Sequence, residues 1–111
     1  MEILEAAIND IVVVEPRGRI DSGNAREFGE RINAHLRSGT HRLVLDFKSV
    51  VYISSAGFRA LLIAGKLTDE LSGRLVLCGI SGEVKRLFDL AAFTELFTIC
   101  PTRDEGIAKA V

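Results

Sequence analysis

The segment VYISSAGFRALLIAGK, residues 51–66, carries the strongest pattern in this chain of 111 residues. The stretch from residue 55 to residue 71 is long enough only for a helix. At about 100° per residue, one face of that helix, called the Ser55 stripe here, contains Ser55, Arg59, Leu62, Lys66 and Glu70. The opposite face is predicted to pack against the core and contains Ala60, Ala64, Leu67 and Leu71. We expect Phe58 and Ile63 to flank the stripe as apolar neighbours.

Short apolar runs lie on both sides of this helix. RLVLDF at residues 42–47 and RLVLCG at residues 74–79 are near-continuous apolar runs, typical of strands that helices cover on both faces. Residues 3–8 and 11–15 are rich in β-branched side chains, and the Asn9-Asp10 pair between them tolerates a tight turn. The N-terminus therefore predicts a β-hairpin.

Three further helices are predicted from apolar residues at helical spacing and from capping residues at their starts. Their apolar positions are Ala25, Phe28, Gly29, Ile32 and Leu36 in the first, Val84, Leu87, Phe88 and Ala91 in the next, and Ile107 and Ala108 in the last. The predicted caps are Asp21 or Ser22, then Ser81, then the reciprocal Thr102–Glu105 pair. A brief strand is expected at residues 96–99, before the last helix.

The resulting order of elements is ββαβαβαβα. Strands that alternate with helices over short connections form right-handed crossovers and a largely parallel sheet. The sequence therefore predicts an α/β fold with a mixed, mostly parallel sheet of about five strands and about four helices. A chain of this length forms one domain, residues 1–111.

Composition excludes several classes of function. The 14 Lys and Arg residues against 15 Asp and Glu give a formal charge of −1, and the two signs are interspersed, which argues against a nucleic-acid partner. No apolar stretch approaches the roughly 20 residues that span a bilayer, and the N-terminus lacks the features of a signal peptide. Cys78 and Cys100 are too few for a disulfide framework. We therefore expect a cytoplasmic protein with two reduced thiols and no direct membrane insertion.

Enzyme chemistry is not expected from these residues. His35 and His41 fall on predicted surface positions without a nucleophile nearby. Ser55 follows a strand and opens a helix, but the nucleophile elbow of a hydrolase needs Gly two places earlier, where this chain has Ile53. No phosphate-binding glycine loop and no cluster of metal-ligating residues is present, so we expect no cofactor and no metal.

The residues alone leave two interpretations of the Ser55 stripe open. A charged ridge bordered by apolar side chains is typical of a protein-binding surface. It is also what the exposed face of any helix in a crowded α/β layer can look like. Ser54 and Ser55 can likewise be helix-capping residues and nothing more.

The same segment resembles the signature of STAS domains, the family of bacterial anti-sigma factor antagonists and sulfate-transporter tails. There, a run of Tyr/Phe-hydrophobic-Asp-Ser-Ser/Thr-Gly-Leu opens the second helix. GRID at residues 18–21, LDF at residues 45–47 and VKRLF at residues 84–88 also resemble the family. The resemblance covers nearly the whole chain and implies a STAS-like fold. Ser54 replaces the usual Asp, and Ala56 replaces the second Ser or Thr.

The resemblance also implies a mechanism. In antagonists of this family, the Ser after the Asp is phosphorylated by an anti-sigma factor that has a histidine-kinase-like ATPase fold. A metal-dependent serine phosphatase reverses the modification. Ser55 is then the implied acceptor, with Ser54 as second choice, and the unmodified chain binds the kinase and releases its target. The implied partner-binding residues are Asp21, Ser54, Ala56, Gly57, Phe58, Arg59 and Leu62.

Two other functions of STAS domains remain open for this sequence. One is a constitutive adaptor subunit of a membrane transport complex, a role compatible with Ser54 and Ala56 in place of the usual residues. The other is a module that senses a small ligand. Both a monomer and a weak dimer are compatible with the sequence.

Overall fold

The computed structural model describes all residues from 1 to 111. Six strands and four helices follow one another in this order: β1 (Glu2–Ile8), β2 (Ile11–Ile20), α1 (Ala25–Arg37), β3 (Arg42–Asp46), β4 (Val50–Ile53), α2 (Ser55–Glu70), β5 (Arg74–Cys78), α3 (Gly82–Leu90), β6 (Thr98–Cys100) and α4 (Arg103–Ala110). The predicted order is confirmed, with β4 as an addition.

The sheet is mixed and mostly parallel, as the sequence predicts. Its strand order is β1-β2-β3-β5-β6, and β4 pairs with β2 alone. β1 runs antiparallel to β2, and every other pair is parallel. β2 has two parallel partners along its length: its residues 11–14 pair with β3, and its residues 18–20 pair with β4.

β4 is not among the about five strands that the sequence predicts. It has only four residues, and a single residue separates it from α2. In the sequence it is therefore hard to distinguish from the loop that precedes the helix. A tight turn after β3 creates it. The Lys48 N–H donates to Asp46 Oδ1 at 3.0 Å, and the Val50 N–H donates to the Phe47 carbonyl at 3.0 Å. The chain thereby turns back to pair with the far end of β2.

Helices cover both faces of the sheet, which explains the near-continuous apolar strands. Alternate strand residues point to opposite faces. Leu43 and Leu45 belong to a cluster of 17 buried residues that also contains residues of α1, α2 and α3. Val44 belongs to a second cluster of six buried residues that Ala110 of α4 completes. The face covered by α4 is called the α4 face below.

The predicted cap of α1 is wrong. Asn24 occupies the N-cap position, and no side chain there bonds a helical N–H. Asp21 instead forms a local turn, in which its Oδ1 accepts from the Gly23 N–H at 3.0 Å and its own N–H donates to Asn24 Oδ1 at 2.9 Å. The short side chain of Asp21 bonds two residues ahead, which the sequence also allows.

Other element ends also differ from expectation. Thr102 accepts from the Glu105 N–H at 3.2 Å as predicted, but the Glu105 side chain meets the Thr102 hydroxyl rather than its backbone N–H. Ser81 precedes α3 without a side-chain capping bond. The last strand lies at residues 98–100 rather than 96–99. Leu71, expected in the core, is exposed because α2 ends one residue before it.

Candidate functional site

The paired ends of β2 and β4 build one edge of the candidate site. Ile20 and Ile53 are register partners, so the residues that follow them, Asp21 and Ser54, come together. The Ser54 N–H donates to the Ile20 carbonyl at 2.8 Å, which extends the strand pairing up to the residue before the helix. The structure thus brings Asp21 beside the start of α2.

Ser54 is the N-cap of α2. Its backbone is extended, with φ −88° and ψ 172°, and its hydroxyl oxygen accepts from the Gly57 N–H at 3.3 Å. This bond satisfies one of the N–H groups that the first helical turn leaves free. The Ser54 hydroxyl is therefore engaged in the structure of the helix, and the side chain is half-buried.

Ser55 is the first residue of α2 and is exposed. Its hydroxyl is free of protein hydrogen bonds, in contrast to that of Ser54. The first turn of α2 carries no acidic residue. The helix itself therefore supplies no negative charge to its positive end beside this hydroxyl, and such a position favours an added negative group.

The Ser55 stripe is exposed along its whole length, as the helical spacing predicts: Ser55, Arg59, Leu62, Lys66 and Glu70. Leu62 keeps 44% of its surface exposed, and the flanking Ile63 keeps 52%. Arg59 and Lys66 have no carboxylate within salt-bridge distance, in contrast to most basic residues of the chain. The stripe therefore presents free positive charge next to exposed apolar surface.

Phe58, predicted to flank the stripe, is a core residue with 8% of its surface exposed. Its ring lies 5.0 Å from the ring of Phe88 and 4.6 Å from that of Phe93, both in edge-on arrangements. The neighbouring Gly57 is buried as well, and a Cβ there would lie 2.7 Å from Ile53 Cγ1. Both residues hold α2 against the sheet and expose little of their surface.

The remaining predicted partner-binding residues are accessible in part or in full. Arg59 and Leu62 are exposed, and Ala56 is half-buried on the first turn of α2. Asp21 is half-buried with one carboxylate oxygen held in its local turn. The predicted set thus divides into surface residues around Ser55 and the two buried residues beneath it.

Sequence reasoning missed one pair beside this surface. The guanidinium of Arg19 lies over the ring of Tyr52, 4.2 Å from its centroid, because these two residues are register partners in β2 and β4. A cation over an aromatic face is attracted by the ring electrons. Only the pairing of β4 with β2 creates this contact, so no local sequence signal could have found it.

A second polar group lies on the α4 face, and the sequence analysis missed it too. Arg103 Nε donates to Asp46 Oδ2 at 2.9 Å, and its Nη2 donates to Glu15 Oε1 at 2.7 Å. The Ser49 hydroxyl donates to Glu15 Oε2 at 3.0 Å, and the Lys48 N–H donates to Asp46 Oδ1. The bond to Asp46 is the main reason why the pKa of Arg103 is raised.

We call Glu15, Asp46 and Arg103 the ionic cluster. The two carboxylates are almost fully buried, and each of their four oxygens accepts a hydrogen bond from the chain itself. Nearby, burial and the negative charge of Asp46 raise the pKa of the Cys78 thiol to about 12. The cluster therefore offers no free ligand or nucleophile, and it attaches α4 to the sheet.

Three further features concern metal ions, membranes and the cysteines. No group of three or more His, Cys, Asp or Glu side chains is arranged to hold a metal ion. No helix is long and apolar enough to cross a membrane. Both cysteines are free thiols, as the sequence predicts.

Comparison with known families decides which group of proteins this fold represents. The model of the STAS domain matches residues 3–106. This chain belongs to the STAS domain family.

One sequence relative of this STAS domain comes from Bordetella bronchiseptica and is named BtrV, a candidate anti-sigma factor antagonist. The two are 30% identical over 108 residues, which cover 97% of this chain and 93% of the relative. The relative and the family model agree on nearly the full length of the domain.

Solved structures give the same fold. The crystal structure of a candidate anti-sigma factor antagonist from Thermotoga maritima superimposes with a TM-score of 0.91 at 19% identity and covers 97% of this STAS domain and 93% of its own chain. The Bacillus cell fate determinant SpoIIAA in its phosphorylated form gives a TM-score of 0.75 at 16% identity, with 99% and 100% coverage.

Proposed function

We propose that this STAS domain is an anti-sigma factor antagonist that acts by partner switching. The unmodified protein binds an anti-sigma factor that is also a serine kinase with a histidine-kinase-like ATPase fold, and the kinase then releases its target. The kinase transfers a phosphoryl group from ATP to Ser55, which ends the complex, and a metal-dependent serine phosphatase restores the starting state. The exposed and unbonded hydroxyl of Ser55, at the head of the Ser55 stripe, carries this proposal.

The contrast between the two serines supports Ser55 as the acceptor. The Ser54 hydroxyl already accepts the Gly57 N–H, so its modification would remove a helix cap. Ser55 needs no such rearrangement, because its side chain faces solvent. Ala56 offers no competing hydroxyl in the same turn.

A phosphate on Ser55 acts on the partner rather than on the fold. The free N–H groups and the positive end of α2 favour an anion at this position, so the domain stays folded. The phosphate adds a charge of roughly −1.5 to −2 one helical turn from Arg59. It offsets the local positive charge and opposes the desolvation of Leu62 against another protein. A binding surface thereby becomes a repelling one.

In this scheme the domain is a substrate and a binding partner, not a catalyst. The kinase supplies the nucleotide and the catalytic base, and the domain supplies the hydroxyl and the docking surface. We propose a cytoplasmic location, where ATP and the sigma factor target are available.

The test pairs the purified domain with each histidine-kinase-like ATPase from its own genome, in the presence of ATP and magnesium. We expect wild type and Ser54→Ala to take up one phosphate, and Ser55→Ala to take up none. Ser55→Asp should bind the kinase at least about 100-fold more weakly, equal to about 2.8 kcal/mol. Mass spectrometry and calorimetry measure the two effects.

Two results would contradict the proposal. One is equal labelling of wild type and Ser55→Ala. The other is full binding by Ser55→Asp, which would favour a constitutive adaptor, above all if the domain then copurifies with a membrane transport complex. Ser55→Ala that keeps wild-type affinity serves as the control for folding and for the binding surface.

A further inference from the structure

A groove lies beside the lower half of the Ser55 stripe, between α2 and the segment 91–97 that leads from α3 to β6. Its volume is about 410 Å³. Leu62, Gly65 and Lys66 form the wall on α2, and Leu96 and Phe97 form the opposite wall. The groove continues the surface on which the proposed kinase docks.

The wall formed by segment 91–97 is anchored to the core. The ring of Phe93 lies 4.6 Å from that of Phe58, and the Thr94 hydroxyl bonds the Asp89 carboxylate, which lowers the pKa of Asp89. Phe97 packs against Gly65, where a Cβ would lie 3.3 Å from its ring. The groove is therefore formed before any partner arrives.

Apolar surface at the mouth of this groove is left uncovered. Leu96 keeps 61% of its surface exposed, between the exposed Glu95 and the half-buried Phe97. Leu62, which also lines the groove, keeps 44% of its surface exposed. An exposed leucine alone is unremarkable in a surface loop. Two that face each other across a preformed groove can enclose an apolar side chain of another protein.

The charges around the groove define what kind of protein fits. On α2, the half of the groove toward Ser55 carries only the free cations Arg59 and Lys66, because the chain has no acidic residue between Asp46 and Asp69. Asp69 and Arg74 also line the groove, farther from Ser55. A second copy of this chain would bring the same positive stripe against itself in a twofold dimer, which like charges oppose. A partner with carboxylates around an apolar centre complements both features.

We propose that the kinase inserts an apolar side chain between Leu62 and Leu96, and that acidic residues beside it face Arg59 and Lys66. This inference rests on the proposed function and adds a second contact region, about two to three helical turns along α2 from Ser55. The buried insertion supplies affinity, and the charges supply orientation and association rate. The groove thereby holds the kinase in register while Ser55 meets the nucleotide.

The experiment measures the affinity of the ADP-bound kinase that labels Ser55 for four proteins: wild type, Leu96→Asp, Leu96→Ala and Val111→Asp. Val111 is the matched control because it is 70% exposed and ends the helix on the α4 face. We expect Leu96→Asp to weaken binding by about tenfold or more and Leu96→Ala by a smaller factor. Val111→Asp should change it by less than about twofold.

The outcomes separate this inference from the function on which it rests. If Leu96→Asp binds like wild type while Ser55→Asp does not bind, the groove is rejected and the partner switch stands. Equal weakening by Leu96→Asp and Val111→Asp also rejects the groove, because the effect would then be a general one of added charge. If wild type binds none of the kinases, both proposals fall. Melting curves check that all four proteins are folded.

Discussion

Two polar regions of this domain lie where a helix begins beside the sheet, and they differ in whether their polar groups are already paired. On the α4 face, Glu15, Asp46 and Arg103 are joined so completely that each carboxylate oxygen already has a donor. At the start of α2, one serine is bonded into the helix cap and the next has a free hydroxyl.

The difference teaches that the position of a polar residue in an α/β fold does not by itself make a site. Buried charges must satisfy one another, and a group that has done so has nothing left to offer a ligand. Ser55 is functional in our proposal because the fold leaves it unsatisfied in a place where solvent, rather than the protein, supplies its hydrogen bonds. Three variants test how the fold satisfies or excludes such groups, and each is read out as a change in stability.

The largest effect is expected from Arg103→Met, which removes the cation that hydrogen-bonds both buried carboxylates and leaves Glu15 and Asp46 the longer contacts of Lys48 Nζ, 3.9 Å from each. We expect the free energy of unfolding to fall by about 3 kcal/mol, measured by denaturant titration. The control is Arg26→Met, which breaks an exposed pair with Glu30 and should cost no more than about 0.5 kcal/mol. Equal effects would show that the ionic cluster is no more important than a surface pair.

An intermediate effect is expected from Gly57→Ala, beneath the proposed acceptor. The new Cβ would lie 2.7 Å from Ile53 Cγ1 and 2.8 Å from Ile20 Cγ2, so α2 must shift away from the strand ends. Overpacking of about 1–3 kcal/mol should exceed the gain of about 1 kcal/mol in helix propensity. Thermal unfolding measures the net loss of stability.

Gly65→Ala is the matched control in the same helix. Its Cβ meets only the edge of the Phe97 ring, at 3.3 Å, and a ring near the surface can move aside. We expect the melting temperature of Gly65→Ala to stay the same or rise. If the Gly57→Ala and Gly65→Ala proteins have the same melting temperature, the close packing described for the base of α2 is contradicted.

The smallest effect concerns Glu5 on β1, whose Oε2 lies 2.7 Å from His35 Nε2 and 3.4 Å from Arg31 Nη1. Burial alone would raise the pKa of Glu5, but the hydrogen bonds and charges of His35 and Arg31 outweigh it, and the pKa is lowered. A lowered pKa in the folded state adds stability above the unfolded pKa and loses it as the pH falls through the folded value.

Glu5→Gln should therefore cost at most about 1 kcal/mol at pH 7, and the difference from wild type should vanish as the medium is acidified toward pH 3. Denaturant titrations of both proteins across this range measure it. A difference that stays constant with pH would mean that the pair contributes by packing rather than by charge. His35, expected on the surface, is half-buried because it meets this strand.

Local spacing in the sequence is sufficient for much of this structure. The stripe from Ser55 to Glu70, the buried runs of β3 and β5, and the start of α4 at Thr102 follow from side chains close together along the chain. Such features depend on helical or strand periodicity and on capping, both of which act within a few residues. The family motif around Ser55 is equally local.

Contacts between residues distant in sequence cannot be predicted from local periodicity and capping. The return of β4 to the far end of β2, the contact of Arg19 with Tyr52, the burial of Phe58 against Phe93 and the ionic cluster all join residues that are distant in sequence. Periodicity assigns a side chain to a face, but only the neighbouring elements decide whether that face is covered.

Phe58 and Ser55 make this division clear within one helix. Helical spacing assigns each of these two side chains to a face of α2. The sequence by itself determined the helix, the fold class and the exposed serine. The tertiary structure alone decided that segment 91–97 closes over Phe58 and leaves a groove at Leu62, because that segment packs through Phe93 and Phe97. Coverage of a helix face is a property of the whole fold, whereas its periodicity belongs to the local chain.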